Sequence, residues 1–228
     1  MTMDVIDRLP VALDPAEIAA RLRFDPARAG FPSLDGLVGL ARTLIAPRAV
    51  YEVAFVGARG EGTVEIGGVT MASPVLRGQL EGINKVFPYI VTVGPALERE
   101  AGAQDDLLKQ YYLEEMANLA LEEAAAWLAA AIEARFGLGP LSSLSPGSLT
   151  DWPITEQPKL FSLLGDTEKL VGVRLTDSML MVPRKSISGV FFPSEEGFSA
   201  CQLCDRERCP GRKAPFSIST RHKSPGPE

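Results

Sequence analysis

The C-terminal part of the chain holds all of its thiols. Cys201, Cys204 and Cys209 lie within the stretch CQLCDRERCPGR. This C-x2-C-x4-C spacing brings three thiolates close enough to hold one metal ion, but closed zinc sites and 4Fe–4S clusters take four ligands. The single histidine, His222, is a candidate fourth ligand. We predict an iron–sulfur cluster or a zinc ion on the three cysteines, with reduced, exposed thiols in a flexible tail as the alternative.

A second stretch, SPGSLTDWPITEQPKLFSLL at residues 145–164, has residues suited to binding a ligand. Pro146 and Gly147 form a turn whose backbone can approach a ligand closely. Asp151 and Trp152 put a carboxylate beside an aromatic face, which suits a flat or cationic ligand. The alternative from the residues alone is a loop that caps the helix after it and binds nothing.

A third stretch, VRLTDSMLMVPRKSISGVFF at residues 173–192, combines strand-like runs with the turn Thr176, Asp177 and Ser178. These three residues are typical turn formers. The chain has one histidine and no H-E-x-x-H, which excludes most Ser-His-Asp and Cys-His schemes and the common zinc protease site. We therefore predict no catalytic residues.

The composition is that of a globular protein, with 228 residues of which 46% are hydrophobic and 23% charged. A net charge of −6 argues against nucleic acid and anionic membrane surfaces as partners. No apolar run reaches the roughly 18 to 20 residues of a membrane helix. The first residues do not resemble a signal peptide, so the sequence predicts a cytoplasmic protein.

Periodicity and capping residues give the elements that must position these stretches. Residues before Pro10 are expected to be a flexible start. On the long helix, Glu115, Asn118 and Glu122 lie on a different face from the apolar stripe. The predicted helices cover 14–24, 33–45, 73–82 and 105–136, with a helical turn from Pro95; the predicted strands cover 49–57, 63–71 (a hairpin), 89–94, 169–183 and 187–193.

This mixture predicts an α+β fold and not a doubly wound sheet. From Ser199 the chain becomes rich in cysteine, arginine and proline. We therefore divide it into a domain at 1–198, a cysteine-rich metal or iron–sulfur segment at 199–216 and a disordered tail at 217–228.

Read together, the second and third stretches resemble the activation, or reactivation, domain of cobalamin-dependent methionine synthase. In that family a P-G turn with downstream acids precedes a helix, followed by L-T-(E/D)-S-x-x-M-x-P-x-x-(S/A)-(V/I)-S-G. The resemblance covers about residues 15–212, because the upstream strands, the long helix and the cysteine-rich end are similar to free-standing members. The matching positions of the pattern are Leu175, Thr176, Asp177, Ser178, Met181, Pro183, Ser186, Ile187, Ser188 and Gly189.

The resemblance implies a C-shaped α+β domain with a twisted antiparallel sheet backed by helices. It implies binding of S-adenosylmethionine beside a cobalamin (vitamin B12) that a partner holds, since the chain has no D-x-H-x-x-G. The partner would be a corrinoid-binding methionine synthase or methyltransferase of methionine biosynthesis. After reduction by a donor such as flavodoxin or ferredoxin, methyl transfer would restore methylcobalamin.

The resemblance also implies which residues hold S-adenosylmethionine. Pro146, Gly147, Asp151, Trp152 and Glu156 would line the site, and the turn at residues 176–178 would support the facing wall. The protein would then be an accessory to a methyltransferase.

Two positions depart from the family pattern. The family has an arginine shortly before the P-G turn, where this chain has Ser143 and Ser145, and an aromatic residue after the glycine, where it has Ser148. Trp152 is a candidate replacement for the aromatic surface, and Arg174 or Arg184 for the charge. The alternatives are a degenerate, non-enzymatic binding or scaffold protein, and an iron–sulfur electron-transfer protein for another corrinoid methyltransferase.

Overall fold

The computed structural model describes residues 2–23, 33–194, 197–204, 206, 208–209, 212 and 214–217. Its helices are α1 (Pro15–Leu22), α2 (Leu34–Leu44), α3 (Pro74–Gln79), α4 (Ala96–Gly102), α5 (Leu107–Phe136), α6 (Gln157–Ser162) and α7 (Thr167–Val171). Its strands are β1 (Thr2–Ile6), β2 (Arg48–Arg59), β3 (Thr63–Ile66), β4 (Val69–Ala72), β5 (Lys85–Thr92), β6 (Leu141–Leu144), β7 (Arg174–Leu175), β8 (Met181–Val182) and β9 (Ser186–Pro193). Short 3-10 turns cover Ile154–Glu156 and Ala200–Gln202.

Side-chain caps fix where α1 and α5 begin. Asp14 accepts a hydrogen bond from the backbone N–H of Ala16 at 2.7 Å, with Pro15 as the first helical residue. Asp106 accepts from the backbone N–H of Leu108 at 2.8 Å at the start of α5. The same helix ends at Gly137, whose φ of 62° is the left-handed conformation that favours glycine. The four predicted helices and the turn at α4 are confirmed.

Seven of the described strands form one antiparallel sheet in the order β4-β3-β2-β5-β9-β6, with β1 paired to β2. The β7 and β8 strands form a separate hairpin. Helices α3, α5, α6 and α7 lie against the large sheet, and α1, α2 and α4 pack on α5. The predicted α+β class with an antiparallel sheet is confirmed. Within the described residues, no helix is long and apolar enough to cross a membrane.

Both faces of the sheet are buried, and the alternation along β5 shows how. Phe87, Tyr89 and Val91 face α5 in one apolar cluster. Val86 contacts the cluster beneath α3 and α6, and Ile90 contacts the cluster around α7. Side chains alternate across a strand, so one strand supplies both layers of the core.

Three sequence expectations differ from the structure. The N-terminal residues are not a flexible start, because β1 pairs with β2 and Ile6 packs on the core. The strand predicted over 169–183 is interrupted: Asp166 caps α7, and Gly172 ends it with a φ of 75°. Strand β6 was not predicted, since its sequence LSSL is too short and polar to stand out. The tail predicted as disordered lies outside the described residues from position 218 on.

Candidate functional site

A groove of about 960 Å³ lies between α5 and the sheet, and we call it the α5 groove. A large concave pocket that combines apolar and polar groups is the usual location of a ligand site. Its lining includes Tyr89, Ser143, Ile187 and Phe191 from the sheet, Tyr111, Glu115, Asn118 and Glu122 from α5, and Arg21 and Arg23 from the end of α1.

The floor of the α5 groove is aromatic. The rings of Tyr89 and Phe191 stack with centroids 3.8 Å apart and planes inclined by 10°. Burial raises the pKa of Tyr89 to about 12, and side-chain hydrogen bonds with Ser143 and Ser145 act in the opposite direction. The phenol is therefore neutral at physiological pH.

Gly189 explains how β6 comes so close to this floor. A Cβ atom at position 189 would lie 2.5 Å from the backbone oxygen of Leu144 and 2.8 Å from Oγ of Ser145. Any larger residue would push β6 away from β9 and Tyr89. This close approach gives a physical reason for the glycine that ends the long sequence pattern.

One wall of the α5 groove carries both signs of charge. Arg21 Nη2 lies 3.3 Å from Glu122 Oε1, and Arg21 Nε lies 3.8 Å from Glu115 Oε2. Asn118 donates to Glu115 Oε1 at 2.9 Å and accepts from Lys185 Nζ at 2.8 Å. The wall of the α5 groove therefore includes Glu115, Asn118 and Glu122. Their polar stripe on a helix with a buried face was the signal available in the sequence.

The charged wall continues to the segment after Pro183. Arg184 contacts Glu98 at 2.7 Å and Glu114 at 3.0 Å, and Lys185 contacts Glu114 at 2.5 Å. Burial raises the pKa of Glu114, but the hydrogen bonds and charges of Lys185 and Arg184 outweigh it and hold that pKa below its usual range. Arg184 is thus engaged outside the α5 groove and does not replace the missing arginine. Arg174, on β7, is exposed and lines neither of the two grooves described in this section.

A second groove, of about 620 Å³, lies where the predicted ligand loop meets the cysteine-rich segment. We call it the loop groove. It is lined by residues 147–151, Pro153 and Ile154 on one side and by Leu203, Cys204 and Arg206 on the other. Two of the predicted ligand residues, Gly147 and Asp151, therefore line a groove. Gly147 has a φ of 81°, and its N–H donates to the backbone oxygen of Trp152 at 2.7 Å.

Trp152 has a different position from the one predicted. It is 0% exposed and packs in the apolar cluster with Leu144, Leu160, Phe192 and Phe198. Its ring therefore offers no open face to a ligand, and Ser148 has no aromatic replacement here. Trp152 instead anchors the loop to the core, and its Nε1 has no hydrogen-bond partner among the described residues.

Pro146 and Glu156 are also buried. One carboxylate oxygen of Glu156 accepts a hydrogen bond from the backbone N–H of Ala72 at 2.8 Å. Lys159 Nζ contacts both oxygens, at 2.8 and 2.9 Å. These contacts tie the 3-10 turn to β4, so the observed role of Glu156 is structural.

Thr176, Asp177 and Ser178 form the tip of the β7–β8 hairpin and line neither groove. Thr176 Oγ1 accepts from the backbone N–H of Leu180 at 3.0 Å and lies 3.0 Å from Ser178 Oγ. Met179 completes the turn with a φ of 64°.

The cysteine-rich segment is organised by an arginine. Arg212 Nη1 donates to the backbone oxygens of Cys201 at 2.9 Å and Ala214 at 3.2 Å. Its Nη2 donates to the backbone oxygens of Cys204, at 3.1 Å, and Arg206. One guanidinium thereby binds four carbonyl groups of a short segment.

The described residues contain no group of three or more His, Cys, Asp or Glu side chains arranged to hold a metal ion. The iron–sulfur or zinc site on Cys201, Cys204 and Cys209 therefore stays a prediction. His222, the candidate fourth ligand, lies outside the described residues.

Comparison with known proteins agrees with this fold. Residues 146–207 match the model of the family described as vitamin B12 dependent methionine synthase, activation domain. A solved structure, the "MetH Reactivation Domain bound to AdoHcy", is similar with a TM-score of 0.62 and 17% identity, over 88% of this chain and 81% of that chain. No significant match was found among curated proteins. The predicted resemblance is confirmed: the chain has the fold of this reactivation domain, and its 146–207 region carries the activation-domain pattern.

Proposed function

We propose that the protein reactivates a corrinoid protein by binding S-adenosylmethionine and docking on the partner that carries the cobalamin. The activation-domain match and the similar fold support this proposal, and the similar structure is bound to AdoHcy. The partner would be a methionine synthase or another corrinoid methyltransferase, with an electron donor such as flavodoxin or ferredoxin. The bound cobalamin would supply the methyl-accepting cobalt, and this chain would bind and orient the methyl donor.

The α5 groove is the site that the geometry favours for S-adenosylmethionine. The main support for this location is that Ser143, which stands at the position of the family's arginine, lines the α5 groove and not the loop groove. The Pro146-Gly147 turn lies between Ser143 and Ser148 in the chain, and these two residues line different grooves.

The chemistry of the α5 groove suits this ligand. Tyr111, which is half-exposed, offers an aromatic surface for a flat base, and the buried, stacked rings of Tyr89 and Phe191 form the floor beneath it. The carboxylates of Glu115 and Glu122 attract a sulfonium or an ammonium group. Preorganised groups of this kind position a donor without moving during the reaction.

Calorimetric titration with S-adenosylmethionine tests the proposal. We expect saturable binding that weakens about tenfold in Glu122→Gln, a loss of about 1.4 kcal/mol. The matched control is Asp151→Asn in the loop groove, which should bind like the wild type. Absence of heat and of thermal stabilisation at millimolar ligand would contradict the function. Loss of binding in Asp151→Asn with retention in Glu122→Gln would move the site to the loop groove.

The scaffold alternative has one observation in its favour. Ser143 and Ser148 lack the charge and the ring of the family pattern, and Trp152 is buried. The same titration decides between the two functions, because a scaffold that has lost its ligand shows no binding of S-adenosylmethionine.

A further inference from the structure

We infer that Arg21, on α1, supplies the cation for the carboxylate of the bound amino-acid end of the ligand, in place of an arginine at position 143. This inference rests on the proposed function, because it assigns a residue to the same ligand. The positive charge that binds the carboxylate would then come from the end of α1 and not from strand β6, which lies more than one hundred residues later in the chain.

Arg21 lies in a suitable position to bind this carboxylate. Arg21 and Ser143 line the same α5 groove, although β6 and α1 are distant in sequence. Ser143 is a small residue that contacts the neutral phenol of Tyr89. Strand β6 therefore presents a short neutral group, while a long cationic side chain enters the groove from α1.

The contacts of Arg21 with two glutamates orient its guanidinium group but do not occupy all of its N–H donors. Glu122 and Glu115 lie 3.3 and 3.8 Å away. A guanidinium carries five N–H donors in a rigid fork that matches a carboxylate. The Arg21 side chain is 38% exposed, and ion pairs at such positions are weak. A ligand carboxylate can therefore bind beside the two glutamates.

The mixture of charges also matches the ligand class. The amino-acid end of S-adenosylmethionine is a zwitterion with a carboxylate and an ammonium group. Arg21 would bind the first and Glu122 or Glu115 the second, within one cluster. We thus assign this end of the groove to an α-amino acid moiety.

Other cations near the groove are less suitable. Arg184 and Lys185 are paired with Glu98 and Glu114, and Lys185 is largely buried. Arg23 lines the groove at the end of α1, where its φ of 49° places it in the left-handed conformation, but no described ion pair orients it. Arg23 is therefore the competing assignment that the experiment must exclude.

The test uses two ligands and a relocated arginine. The ligands are S-adenosylmethionine and its decarboxylated form, which keeps the sulfonium and amine and loses only the carboxylate. We expect Arg21→Met to weaken the first about tenfold or more and the second less than twofold. In the double variant Arg21→Met, Ser143→Arg, affinity for S-adenosylmethionine should return at least in part, because the cation is restored from β6.

Arg23→Met and the exposed Arg174→Met are the matched controls, and thermal unfolding checks that every variant folds. Equal affinity of Arg21→Met and the wild type for S-adenosylmethionine would overturn the inference and leave the proposed function standing. Equal losses for both ligands would show a structural role and would also overturn it, as would a tenfold loss in Arg23→Met alone. If the wild type binds neither ligand, the proposed function fails and the inference falls with it.

Discussion

The α5 groove and the loop groove border the same stretch of chain, near residues 143–154, but they are held by different forces. The floor of the α5 groove, Tyr89 and Phe191, belongs to strands that are buried on both faces. The loop groove has one wall anchored by the buried Trp152 and by the contact of Glu156 with β4, and a second wall shaped by the hydrogen bonds of Arg212.

The two grooves therefore maintain their geometry in different ways. Side chains on a packed sheet and helix are fixed by the core, whose close packing resists local change. A segment that depends on hydrogen bonds from one side chain opens locally at small cost in free energy. We therefore expect the α5 groove to be the rigid region and the loop groove the adjustable one.

The largest effect is expected at the anchor between the two regions. Trp152→Ala should lower the free energy of unfolding by about 3–5 kcal/mol, because it removes a fully buried aromatic side chain. Urea unfolding measures this loss. The control is Trp127→Ala on α5, where the side chain is 37% exposed and the expected loss is about 1 kcal/mol or less. Equal losses in the two variants would contradict the role of Trp152 as the anchor of the loop.

The next effect concerns the floor of the α5 groove at high pH. The pKa of Tyr89 is raised from 10.0 to about 12 in the folded protein, so stability from the neutral phenol is fully present below pH 10 and is lost as the pH rises toward 12. The loss should approach about 1.4 kcal/mol for each pH unit in this window, or about 2–3 kcal/mol in total.

The measurement compares urea unfolding of the wild type and Tyr89→Phe at pH 8 and at pH 11. Other groups titrate equally in both proteins, so their difference reports position 89. The stability of the wild type relative to Tyr89→Phe should fall over this interval. A constant difference would show that the Tyr89 phenol is not buried as described.

A smaller effect is expected at the contact between the loop and β4. Glu156→Ala should cost about 1–3 kcal/mol, because it leaves the backbone N–H of Ala72 without its acceptor. Glu156→Gln keeps an acceptor and should lose less. Glu81→Ala, which removes an exposed partner of Arg77, should change stability by about 0.5 kcal/mol or less. If Glu156→Ala is as mild as Glu81→Ala, the carboxylate does not hold the loop.

We expect the smallest effect on global stability at Arg212. A substitution there tests directly whether the loop groove is the adjustable one of the two grooves. Arg212→Met should change the free energy of unfolding by about 1 kcal/mol or less, while alkylation of Cys201, Cys204 and Cys209 becomes faster. The exposed Arg208→Met is the matched control and should leave the alkylation rates unchanged. A chelator that accelerates alkylation of the wild type, with no effect of Arg212→Met, would show that a metal holds the segment.

The sequence predicted most elements of the fold because their signals are local. Asp14 and Pro15 begin α1, Gly137 ends α5, and the two glycines after β3 make the hairpin turn. It failed at β1 and β6, because a short strand of mixed polarity is stabilised by its neighbours in the sheet and carries little signal of its own. It also placed a strand where Asp166 and Gly172 delimit the short helix α7.

The candidate site was predicted less well, because its residues come from elements that are distant in the sequence. The long pattern that ends at Gly189 identified the family resemblance from the sequence. It could not show that the turn at residues 176–178 lies outside both grooves, or that Trp152 faces the core. Glu115, Asn118 and Glu122 were recognised as a separate face of a helix, but nothing local indicated what that face would meet.

The sequence alone thus determined the fold class, most helix boundaries and the family resemblance, because these depend on residues close together in the chain. Only the tertiary structure decided that Ser143 and Arg21 share one groove, and that Arg212 lies among the backbone oxygens of the cysteine segment. The first pairing joins residues that are distant in sequence, and the second joins a side chain to backbone oxygens several residues away. They are set by how strands register and how helices pack on the sheet, which no local pattern records.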